Sequence, residues 1–444
     1  MVTLAQLQVS SLGTCAVDSP LAQYLEGRTT NEYYVGEDDR ILYDDTLALI
    51  AARDVPLDDL PTFETGGPRN KIFFEPATTK VGIVTCGGLC PGLNDVIRAI
   101  VLELHTHYGV SDVVGFQHGY AGLIPELGHD VISLTPESVA RINERGGTVL
   151  GTSRGAQDPI AIVDRLVDLD IDILMVIGGD GSMRGAHNIS VEVERRGLSI
   201  GVVGVPKTID NDIPHIGQSF GFSTAFAKAA ESIKAARVEV EAAVGGVGIV
   251  KVMGRHAGFI ACYAALANHD ADFVLIPEVD FALDGDNGLL ALLERRVAER
   301  GSAVVVLAEG AGQELIPASE RTDASGNTVL GDIAGYLRAQ ITKHFLNEHS
   351  ANESRPLTMR YFNPGYAIRS VPADASDSVY CARLAQTAVH AAMAGRTDMV
   401  VGRRRHRFVN VPIPFVTSGS HNVSPDGDLW LSVLESTAQP FTMS

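Results

Sequence analysis

A continuous apolar run from Ile171 to Ile177 reads as a buried strand, and Met183 to Arg196 reads as a helix. Between them lies Gly178-Gly179-Asp180-Gly181-Ser182. Glycines at a strand–helix junction let backbone N–H groups approach an anion, and the helix N-terminus adds its positive dipole end. An aspartate among phosphate-cradling glycines would repel the phosphates unless a cation, usually Mg²⁺, sits between them.

The same order of strand, glycine turn and helix opens at Val81 to Thr85, continues through Cys86-Gly87-Gly88-Leu89-Cys90-Pro91-Gly92, and ends in a helical pattern from Leu93 to Tyr108. Further strands are expected at 112–116, 200–205, 247–252, 273–276 and 303–308. Helical patterns cover Ala257 to Leu266, Leu289 to Arg300, Ile333 to Phe345 and Ser376 to Ala394, and Thr224 is placed to cap a helix reaching Ala243. Apolar strands covered by helices predict parallel sheets. There are enough for two doubly wound α/β domains with mostly parallel sheets, preceded by an N-terminal extension over residues 1–79.

The net charge of −19 argues against nucleic-acid or membrane-surface binding, which needs basic surface. No apolar run reaches the roughly 20 residues that span a bilayer. No signal peptide is expected, and five widely spaced cysteines suit a reducing, cytoplasmic setting. Cys86 and Cys90 lack the second pair that zinc spacing requires. An acidic protein that binds phosphates must concentrate its cations at the site, so arginines inside motifs carry weight.

Such motifs recur at predicted strand ends. Gly147 to Gly155 sets Arg154 among small residues, where its forked donors can reach phosphate oxygens. Val205-Pro206-Lys207-Thr208-Ile209-Asp210-Asn211-Asp212 combines a cation, a hydroxyl and two carboxylates, the set that phosphoryl transfer needs. Lys207-Thr208 imitates the end of a P-loop, but Pro206 stands at the glycine position and has no N–H to donate. Met253-Gly254-Arg255-His256, Glu309-Gly310 and the Met359 to Arg369 stretch complete the series. Open α/β sheets place ligands at the carboxyl ends of their strands, where these clusters converge.

From about Gly82 to Arg369 the motifs resemble, in order and spacing, the 6-phosphofructokinases. The chain is most similar to their long, atypical ATP-dependent branch, which lies close to the pyrophosphate-dependent enzymes. The resemblance implies transfer of the γ-phosphoryl of ATP to the 1-hydroxyl of fructose 6-phosphate, with Mg²⁺, in a homo-oligomer (a tetramer or a dimer). It implies a nucleotide-binding domain over 80–222, completed by 369–444, and a sugar-phosphate-binding domain over 223–368. Gly87, Gly88, Arg154, Gly155 and the Gly179-Asp180-Gly181-Ser182 loop would hold the nucleotide, with Asp180 on the magnesium. Asp210 would be the general base, helped by Thr208 and Arg255. Thr208, Ile209, Asp210, Met253, Gly254, Arg255, Glu309, Arg360, Tyr366 and Arg369 would contact the sugar phosphate, the last two at the 6-phosphate.

Three positions depart from the short bacterial members. Lys207 replaces a glycine, Tyr366 replaces a histidine, and Gly246 falls where a second substrate arginine is expected. Lys207 leaves the donor open between ATP and pyrophosphate. Gly181 favours ATP, because pyrophosphate users place an aspartate there that would crowd an α-phosphate. Among rival classes, a nicotinamide dehydrogenase would want G-x-G-x-x-G after a strand, with an acidic residue further on, and no strand end provides that set. A catalytically dead subunit would have lost Asp180 or Asp210. A lipid or NAD kinase would not require the Met253–His256 and Tyr366–Arg369 segments.

Overall fold

A computed structural model describes residues 2–25, 33–53, 55–322, 328–347 and 357–444. The parts of the N-terminal extension at 1, 26–32 and 54 lie outside the described residues. The chain divides into two units, each built on one main sheet. Residues 1–208, 213–221 and 371–420 form the first, and 209–212, 222–370 and 421–444 the second. The C-terminal tail is therefore shared: its last part, from His421, belongs to the second unit instead of completing the first.

In the first unit, five parallel strands form the middle of a nine-stranded sheet. In spatial order they are Met399–Arg404, Gly201–Pro206, Ile173–Gly178, Lys80–Thr85 and Asp112–Phe116. Gly201–Pro206 and Ile173–Gly178 are buried along their whole length, which is why they read as continuous apolar runs. The chain passes from Lys80–Thr85 to one side and then to the other, so the switch point lies between Lys80–Thr85 and Ile173–Gly178. Both glycine loops emerge there, at the strand ends where an open sheet leaves a crevice.

The edges of this sheet are antiparallel. Val131–Ser133 closes one side. On the other, Arg407–Pro412 pairs with Met399–Arg404, and the extension adds Thr62–Thr65 and Arg40–Leu42. These two short strands carry no periodic pattern that sequence could reveal. Their attachment is ionic as well: Arg396 donates to Glu64 at 3.0 Å and to Glu37 at 2.9 Å, while Arg69 reaches the same carboxylates at 2.9 and 2.6 Å.

The second unit holds four parallel strands in the spatial order Phe273–Leu275, Ser302–Ala308, Gly246–Val252, Thr358–Phe362. Val247, Ile249, Val305 and Leu307 pack with Leu289, Leu293, Leu337 and Ile341 from the covering helices. Asp272 is fully buried beside this sheet and is met by Arg237, Arg296 and Arg300, the first at 2.5 Å.

Several boundaries shift from those expected. The helix after the aspartate-bearing glycine loop spans Asp180–Arg195, so Asp180 lies in its first turn with Gly179 as N-cap. The helix expected from a Thr224 cap starts earlier, spanning Phe222–Glu241, and Thr224 is buried within its first turn. The Leu93 to Tyr108 helix changes character at Glu103, where it widens into a π segment running to Tyr108. The Met359 to Arg369 stretch is a strand, Thr358–Phe362, followed by the short helix Gly365–Arg369. No helix among the described residues is long and apolar enough to cross a membrane.

Candidate active site

In the first unit, three loops are laced together around the two glycine turns. The Gly87 N–H donates to Ser153 O at 3.1 Å, and the Thr152 hydroxyl donates to Gly87 O at 2.7 Å. Lys207 N–H donates to Gly178 O at 2.9 Å. A Cβ placed on Gly87 would lie 3.3 Å from Lys207 Nζ and 3.8 Å from Ser182 Oγ, and one on Gly88 would lie 3.6 Å from Arg154 Nη2. Gly87, Gly88, Arg154, Ser182 and Lys207 are thus gathered in one place. Buried Tyr120 fixes the start of the helix by donating to Ser182 O at 2.6 Å.

The cluster has the polarity an anion needs: backbone donors, the Lys207 ammonium and the Arg154 guanidinium. Arg154 and Gly155 are exposed, whereas Lys207 is buried. Asp180 is half-exposed in the first helical turn and forms an ion pair with Arg184 one turn on. Among the described residues, no group of three or more histidine, cysteine or acidic side chains could hold a metal by itself. A single carboxylate does fit Mg²⁺ delivered with a nucleotide, because that ion keeps several waters and takes its remaining oxygens from phosphates. Cys86 lies under the loop with its thiol pushed up to about 12 by burial, which leaves it inert as a nucleophile.

In the second unit, the segments that follow three neighbouring parallel strands converge. Glu309 N–H donates to Val252 O and Gly310 N–H to Gly254 O, each at 3.0 Å. This joins Met253, Gly254 and Arg255 to Glu309. Gly254 has φ +124° and approaches Ala257 O so closely that a Cβ would lie 2.6 Å away. No other residue fits there. The Arg255 guanidinium contacts Thr328 O and lies 3.2 Å from His256 Nε2. The Arg369 guanidinium stacks over Tyr366 at 4.6 Å from the ring centroid, and Tyr366 is 75% exposed. Arg360 is turned towards Glu239, 3.3 Å away on the flanking helix.

Gly246 has a steric reason to be glycine. A Cβ there would lie 2.1 Å from Val240 O, so the second arginine of the short enzymes cannot be carried at this position. Asp210 is half-buried with its Oδ1 shielded from solvent, and Ile209 beside it is buried. The next residue, Asn211, has φ 59°. That left-handed conformation is tolerated by asparagine at some cost and turns the chain sharply after the carboxylate.

Sequence reasoning missed His421 and Asn422, which bond the main chain beside Asp210 and Arg255, and Thr152 and Ser153, which tie the first glycine turn. The histidine and asparagine sit in the polar stretch Ser418-Gly419-Ser420-His421-Asn422, which carries no periodicity and no motif that points to catalysis. Thr152 and Ser153 stood inside a recognised loop, with nothing in their spacing to separate them from their neighbours.

Parallel sheets with polar loops at their carboxyl ends, one set carrying glycines, a lysine and an arginine and the other a carboxylate and arginines, fit a class: the α/β phosphotransferases. The profile of the family described as phosphofructokinase matches residues 80–392, and the chain belongs to that family. It is 55% identical to an ATP-dependent 6-phosphofructokinase of Amycolatopsis methanolica, over 98% of this chain and 95% of that one. It is 42% identical to the ATP-dependent 6-phosphofructokinase of Borreliella burgdorferi, over 98% and 97%. Among solved structures, the fold resembles a pyrophosphate-dependent phosphofructokinase from Marinobacter aquaeolei, with TM-score 0.66, 20% identity, and coverage of 82% of this chain and 92% of that one.

Proposed function

We propose that this protein is an ATP-dependent 6-phosphofructokinase of glycolysis, converting fructose 6-phosphate to fructose 1,6-bisphosphate. In this reading Gly87, Gly88, Arg154, Gly155 and the Gly179–Ser182 loop bind the nucleotide. Asp180 would hold the Mg²⁺, which when bound screens the phosphate charge. Asp210 takes the proton from the sugar 1-hydroxyl as that oxygen attacks the γ-phosphorus, and the bond to the β–γ bridging oxygen breaks to release ADP. An aspartate is ionised at neutral pH, so alignment matters more than basicity. Arg255 and Lys207 offer positive charge to a loose transition state that asks mainly for positioning and electrostatic stabilisation. Glu309 and Met253 orient the sugar, and Tyr366 and Arg369 take the 6-phosphate. Its binding energy, remote from the reaction, fixes the 1-hydroxyl in line. The same reading makes the enzyme cytoplasmic and a homo-oligomer, a tetramer as the resemblance implies.

The observation that carries the choice of donor is Gly181. A Cβ there would meet no heavy atom within 4 Å, so the helix start beside Asp180 opens onto free space that a nucleotide can occupy. The relatives named as ATP-dependent enzymes support the same choice. The test compares Mg-ATP and pyrophosphate at equal concentration with fructose 6-phosphate as acceptor. ATP is expected to be used and pyrophosphate scarcely at all. A clear preference for pyrophosphate overturns the reading of Gly181.

A further inference from the structure

The segment His421–Val423 lies near the C-terminus, far in sequence from either loop of the second unit's site, yet it bonds to both. The His421 N–H donates to Asp212 O at 2.8 Å, and its imidazole Nδ1 lies 3.2 Å from Asn211 O. A carbonyl only accepts, so Nδ1 carries the proton in that bond. The His421 ring packs against Phe259, with centroids 4.7 Å apart. One residue on, Asn422 Nδ2 donates to His256 O at 2.7 Å. Then the Val423 N–H donates to Glu278 Oε1 at 2.8 Å, and the same carboxylate accepts the Gly258 N–H at 2.9 Å.

These contacts share one geometry. Two carbonyls on the C-terminal side of Asp210 are held by a single histidine, at the point where Asn211 turns through a left-handed φ of 59°. A non-glycine residue stays in that region only when its surroundings over-determine it. The Met253–Gly258 loop, which carries Arg255, is tied to the same short segment by His256 O and, through Glu278, by the Gly258 N–H.

We infer that His421 is a positioning residue for catalysis: with Asn422 and Val423 it clamps the Asp210 loop to the Arg255 loop and holds the carboxylate in its attack geometry. This rests on the reading of Asp210 as the general base. His421 touches no reacting atom. It acts by fixing the backbone that bears Asp210, where a displacement of about 1 Å is enough to cost up to about 10²-fold in rate.

The test is steady-state kinetics on the full-length enzyme with His421→Phe and His421→Asn, alongside melting temperatures. Phenylalanine keeps the packing on Phe259 and removes the Nδ1 donor, whereas asparagine restores a side-chain N–H near that position. For His421→Phe, kcat is expected to fall about 10-fold with KM for Mg-ATP unchanged, and His421→Asn is expected to recover most of the loss. A wild-type kcat in His421→Phe, or an asparagine variant no better than the phenylalanine one, overturns the proposal. Should His421→Phe not fold, Asn422→Ala serves, because Asn422 is exposed. Its expected effect is a KM for fructose 6-phosphate raised about threefold at constant melting temperature. Unchanged kinetics there overturn the clamp. Asp210→Asn, measured in parallel, separates the two layers. Turnover retained in that variant removes the base assignment and the clamp with it. Turnover lost there but retained in His421→Phe removes the clamp alone.

Discussion

The main-chain N–H of Lys207 donates to the carbonyl of Gly178 at 2.9 Å. Two adjacent parallel strands thereby stay in register past their last ladder pair, Pro206–Gly178. The segment that leads to Asp210 thus departs from a point fixed against Gly178, where the Gly178–Ser182 segment starts. The Thr208 carbonyl is held in turn by the Ser219 hydroxyl at 2.5 Å. Bonds to the backbone, not side-chain contacts alone, set where the reactive groups begin.

Asp210→Asn keeps the size of the side chain and removes its capacity to take a proton. Turnover is expected to fall by at least ~10²-fold, while fructose 6-phosphate binding, followed by calorimetric titration, largely survives. Near-normal turnover would refute the role given to this carboxylate.

Gly181→Asp places a carboxylate on the exposed helix start without a clash, since a Cβ there meets nothing within 4 Å. Melting temperature should hold. KM for Mg-ATP is expected to rise at least about 10-fold, from crowding and like-charge repulsion at the nucleotide. An unchanged KM would show that position 181 does not face the donor.

Asp272→Ala leaves Arg237, Arg296 and Arg300 without their shared carboxylate and strips the Val304 N–H of a 2.8 Å acceptor. Removing one partner of a buried ion pair costs roughly 3–5 kcal/mol. Denaturant unfolding should show that loss, in a protein whose first unit is untouched by the change. A stability within about 1 kcal/mol of wild type would contradict it.

His390 supplies one part of the pH dependence, and Asp398, raised by burial to about 6, opposes it. Burial lowers the His390 pKa from 6.5 to about 4, and its Nδ1 lies 2.8 Å from the Tyr108 hydroxyl. The unfolded state therefore binds more protons than the native one between those values, and stability rises with pH across that window. The contribution is fully present above pH 6.5 and is lost as pH falls towards 4. Glu103 beside it works in the opposite sense, because burial raises its pKa. Equilibrium unfolding from pH 7 to 4, compared with His390→Leu, should show a shallower slope in the variant by up to about one proton. Equal slopes would rule His390 out as the titrating group.

The sequence by itself determined the parallel α/β class, because strands buried on both faces must be apolar throughout, and each ends in glycine and polar residues that punctuate it visibly. It also marked where polar and glycine-rich segments follow the strands, since such residues interrupt the apolar runs. Tertiary structure alone decided the rest. The extension joins the sheet through two short antiparallel strands and an arginine–glutamate network, in which Arg396 meets Glu37 and Glu64 from more than 300 residues away. Asp180 turned out to lie within the helix, facing Arg184, because the cap is Gly179. His421 gains its meaning only from the carbonyls of Asn211 and Asp212, some 210 residues earlier. A hydrogen bond to the main chain selects a position in space and leaves almost no mark on the sequence of its acceptor, so such partners stay hidden until the chain is folded.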